Sequence, residues 1–109
     1  MNNIFDALFE LINDRKSNPV PNSYTSYLFE KGLDKILKKC GEECSEMIIA
    51  AKNPEKAELK NEVADLLFHI IVLCAECGIE WREIEEVLTE RGQKTGNLKQ
   101  FRNTENDML

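Results

Sequence analysis

An all-α, four-helix bundle-like domain is the fold this sequence predicts, and three observations predict it. Apolar residues recur at three- and four-residue spacing in four separate stretches. No stretch keeps up the apolar–polar alternation of a half-buried strand. Prolines, glycines and short polar runs cut the chain between the periodic stretches. At 109 residues, 42% of them hydrophobic, the chain fits one domain with a modest core. Domains of this size are often helped by dimerisation or a bound metal. Residues 1–97 are expected to form the helical domain and 98–109 a polar tail that frays.

The first helix is predicted from Asn3 to Lys16, with Ile4, Phe5, Leu8, Leu11 and Ile12 on one face. Residues 17–25 (SNPVPNSYT) carry two prolines and several turn formers and read as a loop. The second helix is predicted from Ser26 to Lys52, with Gly32 its weak point and Gly41 costing about 1 kcal/mol relative to Ala. Asn53-Pro54 breaks the chain, and Pro54 suits the first turn of a third helix running to Cys77. Gly78 ends that helix. A fourth is predicted from Trp81 to Thr95, with Trp81, Ile84, Val87 and Leu88 facing inward.

Composition removes several classes of function. Fourteen Lys and Arg stand against twenty Asp and Glu, a formal net charge of -6. A general nucleic-acid binder would show a basic face. A few placed cations and a metal suffice, however, to hold one phosphorylated small molecule. The N-terminus lacks the basic and apolar regions of a signal peptide. The longest apolar run, Leu66 to Ala75, is interrupted by His69 and is too short to span a bilayer. A cytoplasmic protein is expected. Cys40, Cys44, Cys74 and Cys77 have zinc-like spacings, but both pairs fall inside helical patterns without turn glycines. Four small, reduced core residues are the expectation there.

The chemistry lies in the carboxylates. On a wheel at about 100° per residue, Ile36, Leu37, Cys40, Cys44, Met47, Ile48 and Ala51 share one face of the second helix. Glu43 borders that face, Glu46 follows one step round, and Glu42, Lys35 and Lys38 point outward. The third helix is apolar nearly all round, as buried helices are. Glu62, Asp65, His69 and Glu76 make one narrow polar stripe on it. Ionised carboxylates at such a border are costly unless paired or bound to a metal. If the two helices pack antiparallel, the i, i+3 pairs Glu43/Glu46 and Glu62/Asp65 face each other, and their mutual repulsion demands protons or a cation. Hard oxygen ligands suit Mg²⁺, with Mn²⁺ a substitute. His69 is expected to orient its neighbours on the stripe rather than to bind metal.

The order E-E-x-x-E (Glu42, Glu43, Glu46) followed by E-x-x-D (Glu62, Asp65) resembles the signature of the all-α nucleoside triphosphate pyrophosphohydrolases, MazG-like and dimeric dUTPase-like enzymes among them. Ser23-Tyr24-Thr25 with Leu28-Phe29, then KGLDKILKKCGEECSE, IIAAK and EVADLLFHIIVL, narrow the resemblance to the phosphoribosyl-ATP pyrophosphatases. It covers residues 4 to 91. Cys40 and Cys44 stand where that family more often has small apolar residues, and Phe68 where Tyr is frequent; none of these touches the acidic signature.

The resemblance implies hydrolysis of phosphoribosyl-ATP between its α and β phosphates, the second step of histidine biosynthesis, by a homodimer or dimer of dimers. Glu43, Glu46, Glu62 and Asp65 would hold Mg²⁺, and Glu42 or Glu46 would take a proton from the attacking water. Lys35 and Lys39 are candidates for the pyrophosphate. Arg15, Lys16 and Arg91 are weaker phosphate candidates. Ser23, Tyr24 and Thr25 would contact ribose phosphate or base, or else cap the second helix. His69 joins this substrate-side group. Two other readings are open: a house-cleaning pyrophosphatase for dUTP, dCTP or damaged nucleotides, and a non-catalytic helical interaction module. The module reading leaves the acidic stripe unexplained.

Overall fold

A computed structural model describes residues 3–94, and among them every regular element is a helix. The helices are α1 (Ile4–Ser17), α2 (Tyr24–Lys31), α3 (Leu33–Ala51), α4 (Lys56–Glu76) and α5 (Trp81–Gly92). The 98–109 tail, and the fourth predicted helix's end at Thr95, lie outside the described residues. The described helices fall into two compact units, the first ending at Ile79 and the second beginning at Glu80.

The all-α expectation holds, but the single helix expected from Ser26 to Lys52 is two. Gly32 adopts φ 92° and ψ -172°, a conformation in which an L side chain is strained. Its N–H closes α2 on the Leu28 carbonyl (2.9 Å), and its own carbonyl accepts from Ile36 N–H (3.1 Å) to open α3. One glycine thus serves both helices as cap. The start also moves. Ser23 is the N-cap of α2, its hydroxyl accepting from Ser26 N–H at 3.1 Å, so the helix begins at Tyr24. Pro54 likewise lies ahead of the helix it was expected to open. Glu55 is the N-cap of α4, and Asn53-Pro54 forms the turn from α3.

In the first unit α3 packs along α4, α1 lies on α4, and α2 touches both α3 and α1. These four helices close a ring around Phe9, Ile12, Leu28, Ile36, Ala50, Ile71, Val72, Cys74 and Ala75. Ile12, Leu28, Ile36, Ile71 and Val72 are fully buried. Each contributes about 1.5–3 kcal/mol by leaving water. The Lys16 ammonium donates to the carbonyls of Ala75 (2.9 Å) and Glu76 (3.4 Å). It therefore caps the C-terminus of α4, where the helix dipole favours a cation.

Several residues expected inside are outside. Leu37 is 47% exposed and Ile48 57%, although both lie on the face of α3 read as inward. Ile4, Leu11 and Val63 are exposed in the first unit, as are Val87 and Leu88 on α5, whose buried residue is Trp81. The wheel located the apolar faces, but each face is wider than the surface that packs on it. Among the cysteines, Cys74 is buried but Cys77 is exposed at the end of α4, so the four are not all core residues.

Candidate active site

The short turn at residues 52–55 folds α4 back along α3, and this brings acidic residues from both helices together. One oxygen each from Glu43, Glu62 and Asp65 lies within 4.8 Å of the others. Among the described residues this is the group of His, Cys, Asp and Glu side chains fit to hold a metal; the cysteines do not assemble into one. Glu43 is only 8% exposed. Glu43 Oε2 and Glu62 Oε2 are buried and have no hydrogen-bond partner. Buried carboxylate oxygens are rarely left so. A hard divalent cation would satisfy both at once, and three carboxylates with room for water suit Mg²⁺ or Mn²⁺. The residues present therefore fit such an ion.

The electrostatics agree. Burial raises the Glu43 pKa, and approach to Glu46, close enough to share a proton, raises it further, with His69 opposing. Glu62 is pushed up to about 7, first by desolvation, then by Glu46 and by the charges of Glu43 and Asp65. Glu46 itself is exposed and borders both. It stands beside the three-oxygen group rather than within it.

Around this cluster the structure places the remaining candidates unevenly. Lys39 Nζ lies 3.3 Å from Glu42 Oε1 and 3.7 Å from Glu43 Oε1. Burial works against its charge, but the Glu42 hydrogen bond and the nearby Tyr24, Glu42 and Glu43 outweigh it and raise the Lys39 pKa. Lys35 lies over the Tyr27 ring, 5.9 Å from its centroid. Arg15 pairs with its neighbour Asp14 at 3.1 Å. Thr25 sits half-buried in the first turn of α2. Arg91 belongs to α5 in the second unit.

His69 and Tyr24 form a unit that spacing alone could not reveal. His69 is 5% exposed, and its Nδ1 lies 2.7 Å from the Asp65 carbonyl. A carbonyl only accepts, so Nδ1 carries the proton and donates. Nε2 lies 2.8 Å from the Tyr24 hydroxyl, a hydrogen bond in which a neutral ring accepts. Both ring nitrogens are committed, so His69 ties the start of α2 to the carboxylate helix. Cys40 adds a thiol donated to the His69 carbonyl at 3.5 Å. The Tyr24 ring lies 6.2 Å from both Tyr27 and Phe68, stacked with each. Burial raises the Tyr24 pKa; Lys39 opposes this and Glu43 reinforces it.

On the other side of Tyr24 opens a cleft of about 950 Å³ between α1, the 18–23 loop, α2 and the end of α4. Tyr27, Glu30 and Glu76 line it with Arg15, Lys16, Ser23 and Tyr24. Sequence reading passed over Tyr27 and Glu30. Their signal was spacing: Ser23, Tyr27 and Glu30 recur on one face of α2.

Fold and site together define an all-α protein with a carboxylate cluster, built from two helices, that is fit to hold a divalent cation. Comparison with known sequences narrows it. A sequence model described as phosphoribosyl-ATP pyrophosphohydrolase matches residues 5–92. A phosphoribosyl-ATP pyrophosphatase of Clostridium botulinum is 54% identical over 103 residues, 94% of each chain. One from Bacillus cereus is 55% identical over 98 residues, 90% of this chain and 92% of its own. One from Bacillus anthracis matches equally well, at 55% over 98 residues. The chain belongs to the phosphoribosyl-ATP pyrophosphohydrolase family.

The raised Glu62 carboxyl gives a signed expectation. Between its unfolded value near 4.5 and about 7, the folded protein holds more protons at this group than the unfolded chain. Stability from this group is therefore present at low pH and falls as pH rises through that window. Thermal melts of metal-free protein should show this fall, and excess Mg²⁺ or Mn²⁺ should offset it at pH 7. Glu62→Gln should flatten the metal-free profile. An identical slope in that variant would contradict the assignment.

Proposed function

We propose that the chain hydrolyses phosphoribosyl-ATP between its α and β phosphates, giving phosphoribosyl-AMP and pyrophosphate, the second step of histidine biosynthesis. The observation that carries the chemistry is the pair of orphaned, buried oxygens on Glu43 and Glu62 beside Asp65. The substrate follows from family membership and from relatives of that name over most of the chain.

Glu43, Glu62 and Asp65, with Glu46 at their edge, would hold Mg²⁺. Bound there, the ion supplies charge neutralisation for a triphosphate and polarises the anhydride. The protein's own groups do the rest. Glu46 is the better placed proton acceptor for the attacking water, because it borders Glu43 and Glu62. Glu42 is the second candidate, but its carboxylate is engaged by Lys39. Lys39 stands beside the cluster with its charge reinforced, where it can meet the leaving pyrophosphate. Lys35 would assist from one turn earlier on α3. Tyr24, fixed by His69, sets the boundary between the carboxylates and the rest of the substrate. Ser23 orders the same corner by capping α2. Arg15 lines the cleft paired with Asp14, which leaves it a weaker candidate for the ribose-bound phosphate. Thr25 is the least supported substrate contact of this unit, and Arg91 belongs to the other.

A cytoplasmic setting fits a soluble nucleotide substrate, and no helix among the described residues is long and apolar enough to cross a membrane. Association into a homodimer or dimer of dimers accounts for the apolar stripe that α3 leaves uncovered. Leu33, Leu37 and Ile48 are exposed along one side of it, with Gly41 between them and open space at its Cα. Such stripes mark association surfaces.

Two measurements test this reading. Pyrophosphate release from phosphoribosyl-ATP should exceed release from dUTP, dCTP and ATP. Glu43→Gln and Asp65→Asn should each lower it by about 10²-fold or more, the scale of losing a charge-stabilising group. Preference for dUTP or dCTP would overturn the substrate. In sedimentation, the wild type should run as a dimer or larger and Ile48→Glu should shift it toward monomer. A monomeric wild type would refute the association.

A further inference from the structure

The acidic stripe of α4 does not end at the carboxylate cluster. It passes from Asp65 through His69 to Glu76, which lines the cleft. That interval is 11 residues of helix, roughly 16 Å along the axis, within the reach of an extended nucleotide. Tyr24 joins the two regions: its hydroxyl meets His69 on the carboxylate side, and its ring lines the cleft. A substrate whose phosphates lie at Glu43, Glu62 and Asp65 therefore carries its base toward the cleft.

The cleft's chemistry is selective. Its walls are mainly apolar, with Tyr24 and Tyr27 presenting aromatic surface. It also holds two cations and two carboxylates. Both cations are engaged: Lys16 by the α4 carbonyls and Arg15 by Asp14. Among the described residues the carboxylates of Glu30 and Glu76 have no ion-pair partner. The charge left over is negative, which suits a flat cation better than a second phosphate. Tyr27 already gathers ammonium groups, with Lys31 and Lys35 at 5.7 and 5.9 Å from its ring centroid; neither lines the cleft.

Phosphoribosyl-ATP carries such a cation. Its second ribosyl arm is attached to adenine N1, and N1-alkylation turns adenine into an amidine that holds a proton at neutral pH. The adenine of ATP is neutral there. We propose that the cleft is a recognition subsite for a cationic, N1-substituted adenine, with Tyr24 and Tyr27 as aromatic walls and Glu30 and Glu76 as counter-charge. The subsite deepens the functional reading above and rests on it. It separates the substrate from ATP, which shares every phosphate that the carboxylate cluster would handle. Selection by base charge protects an abundant metabolite from wasteful hydrolysis.

The test uses two probes with the same triphosphate, ATP and N1-methyl-ATP. In competition against phosphoribosyl-ATP hydrolysis, N1-methyl-ATP should inhibit the wild type about tenfold more strongly than ATP, the scale of a partly desolvated cation–π contact. In the Glu30→Gln, Glu76→Gln double variant the ratio should fall toward one. Equal inhibition by the two probes in the wild type overturns the proposal. So does an unchanged ratio in a double variant that keeps its helical circular dichroism. If that variant does not fold, the wild-type comparison decides alone. If the wild type releases no pyrophosphate from phosphoribosyl-ATP, the functional reading fails instead, and calorimetric binding of the two probes still reads the cleft.

Discussion

The structure turns on one constraint: α3 and α4 can bury their apolar faces only by bringing Glu43, Glu62 and Asp65 together. α3 packs along α4, Ile36 and Ala50 on the one and Ile71 and Val72 on the other are buried, and the register that buries them fixes the carboxylates. Like charges in such a place repel, and among the described residues no Lys or Arg stands between them; Lys39 reaches only Glu43 of the three, from the rim. The folded chain must therefore take up protons, the direction in which burial and its neighbours push Glu62, to about 7, or a cation. Core burial supplies the free energy that holds the charges in place, and the site is a local loss set against a larger gain. Functional sites often break local rules in this way.

The contacts behind the carboxylates follow from the same packing. Asp65 offers its backbone carbonyl to His69, which fixes the imidazole tautomer. The other ring nitrogen, Nε2, holds the Tyr24 hydroxyl. This chain of contacts explains why α2 exists as a separate helix. Ser23 starts it at Tyr24, so the tyrosine stands in the first turn facing α4, and Gly32 ends it before α3 begins. A continuous helix from Ser26 would have left Tyr24 in a loop.

How much of this was legible in the sequence differs by element. The acidic pairs were readable because i, i+3 spacing places them on helix faces whatever the tertiary fold. The substrate family was readable from the motifs around them. Gly32 was visible as a weak point, but not its dihedral angle, and propensity alone does not tell a tolerated helix glycine from a double cap. Leu37, Ile48, Val87 and Leu88 lie on faces that periodicity marks as apolar yet are exposed in the single chain, because periodicity does not say what covers such a face. The His69–Tyr24 bond and the cleft were out of reach, since residues 45 apart meet only in the tertiary structure. The lysine at position 16 shows the converse. Its place at the end of α1 suggested a phosphate contact, and its ammonium instead closes α4.

The claim on which the rest depends is that the α3–α4 carboxylates form one cation site. Titration of the metal-free protein with Mn²⁺, followed by calorimetry and by the loss of the free-ion spin-resonance signal, tests it most directly. The wild type should take up the ion. Glu43→Gln and Asp65→Asn should each weaken uptake about tenfold or more, the usual effect of losing a ligand or its support, while keeping helical circular dichroism. Equal uptake by the wild type and both folded variants, or none by the wild type, would contradict the account.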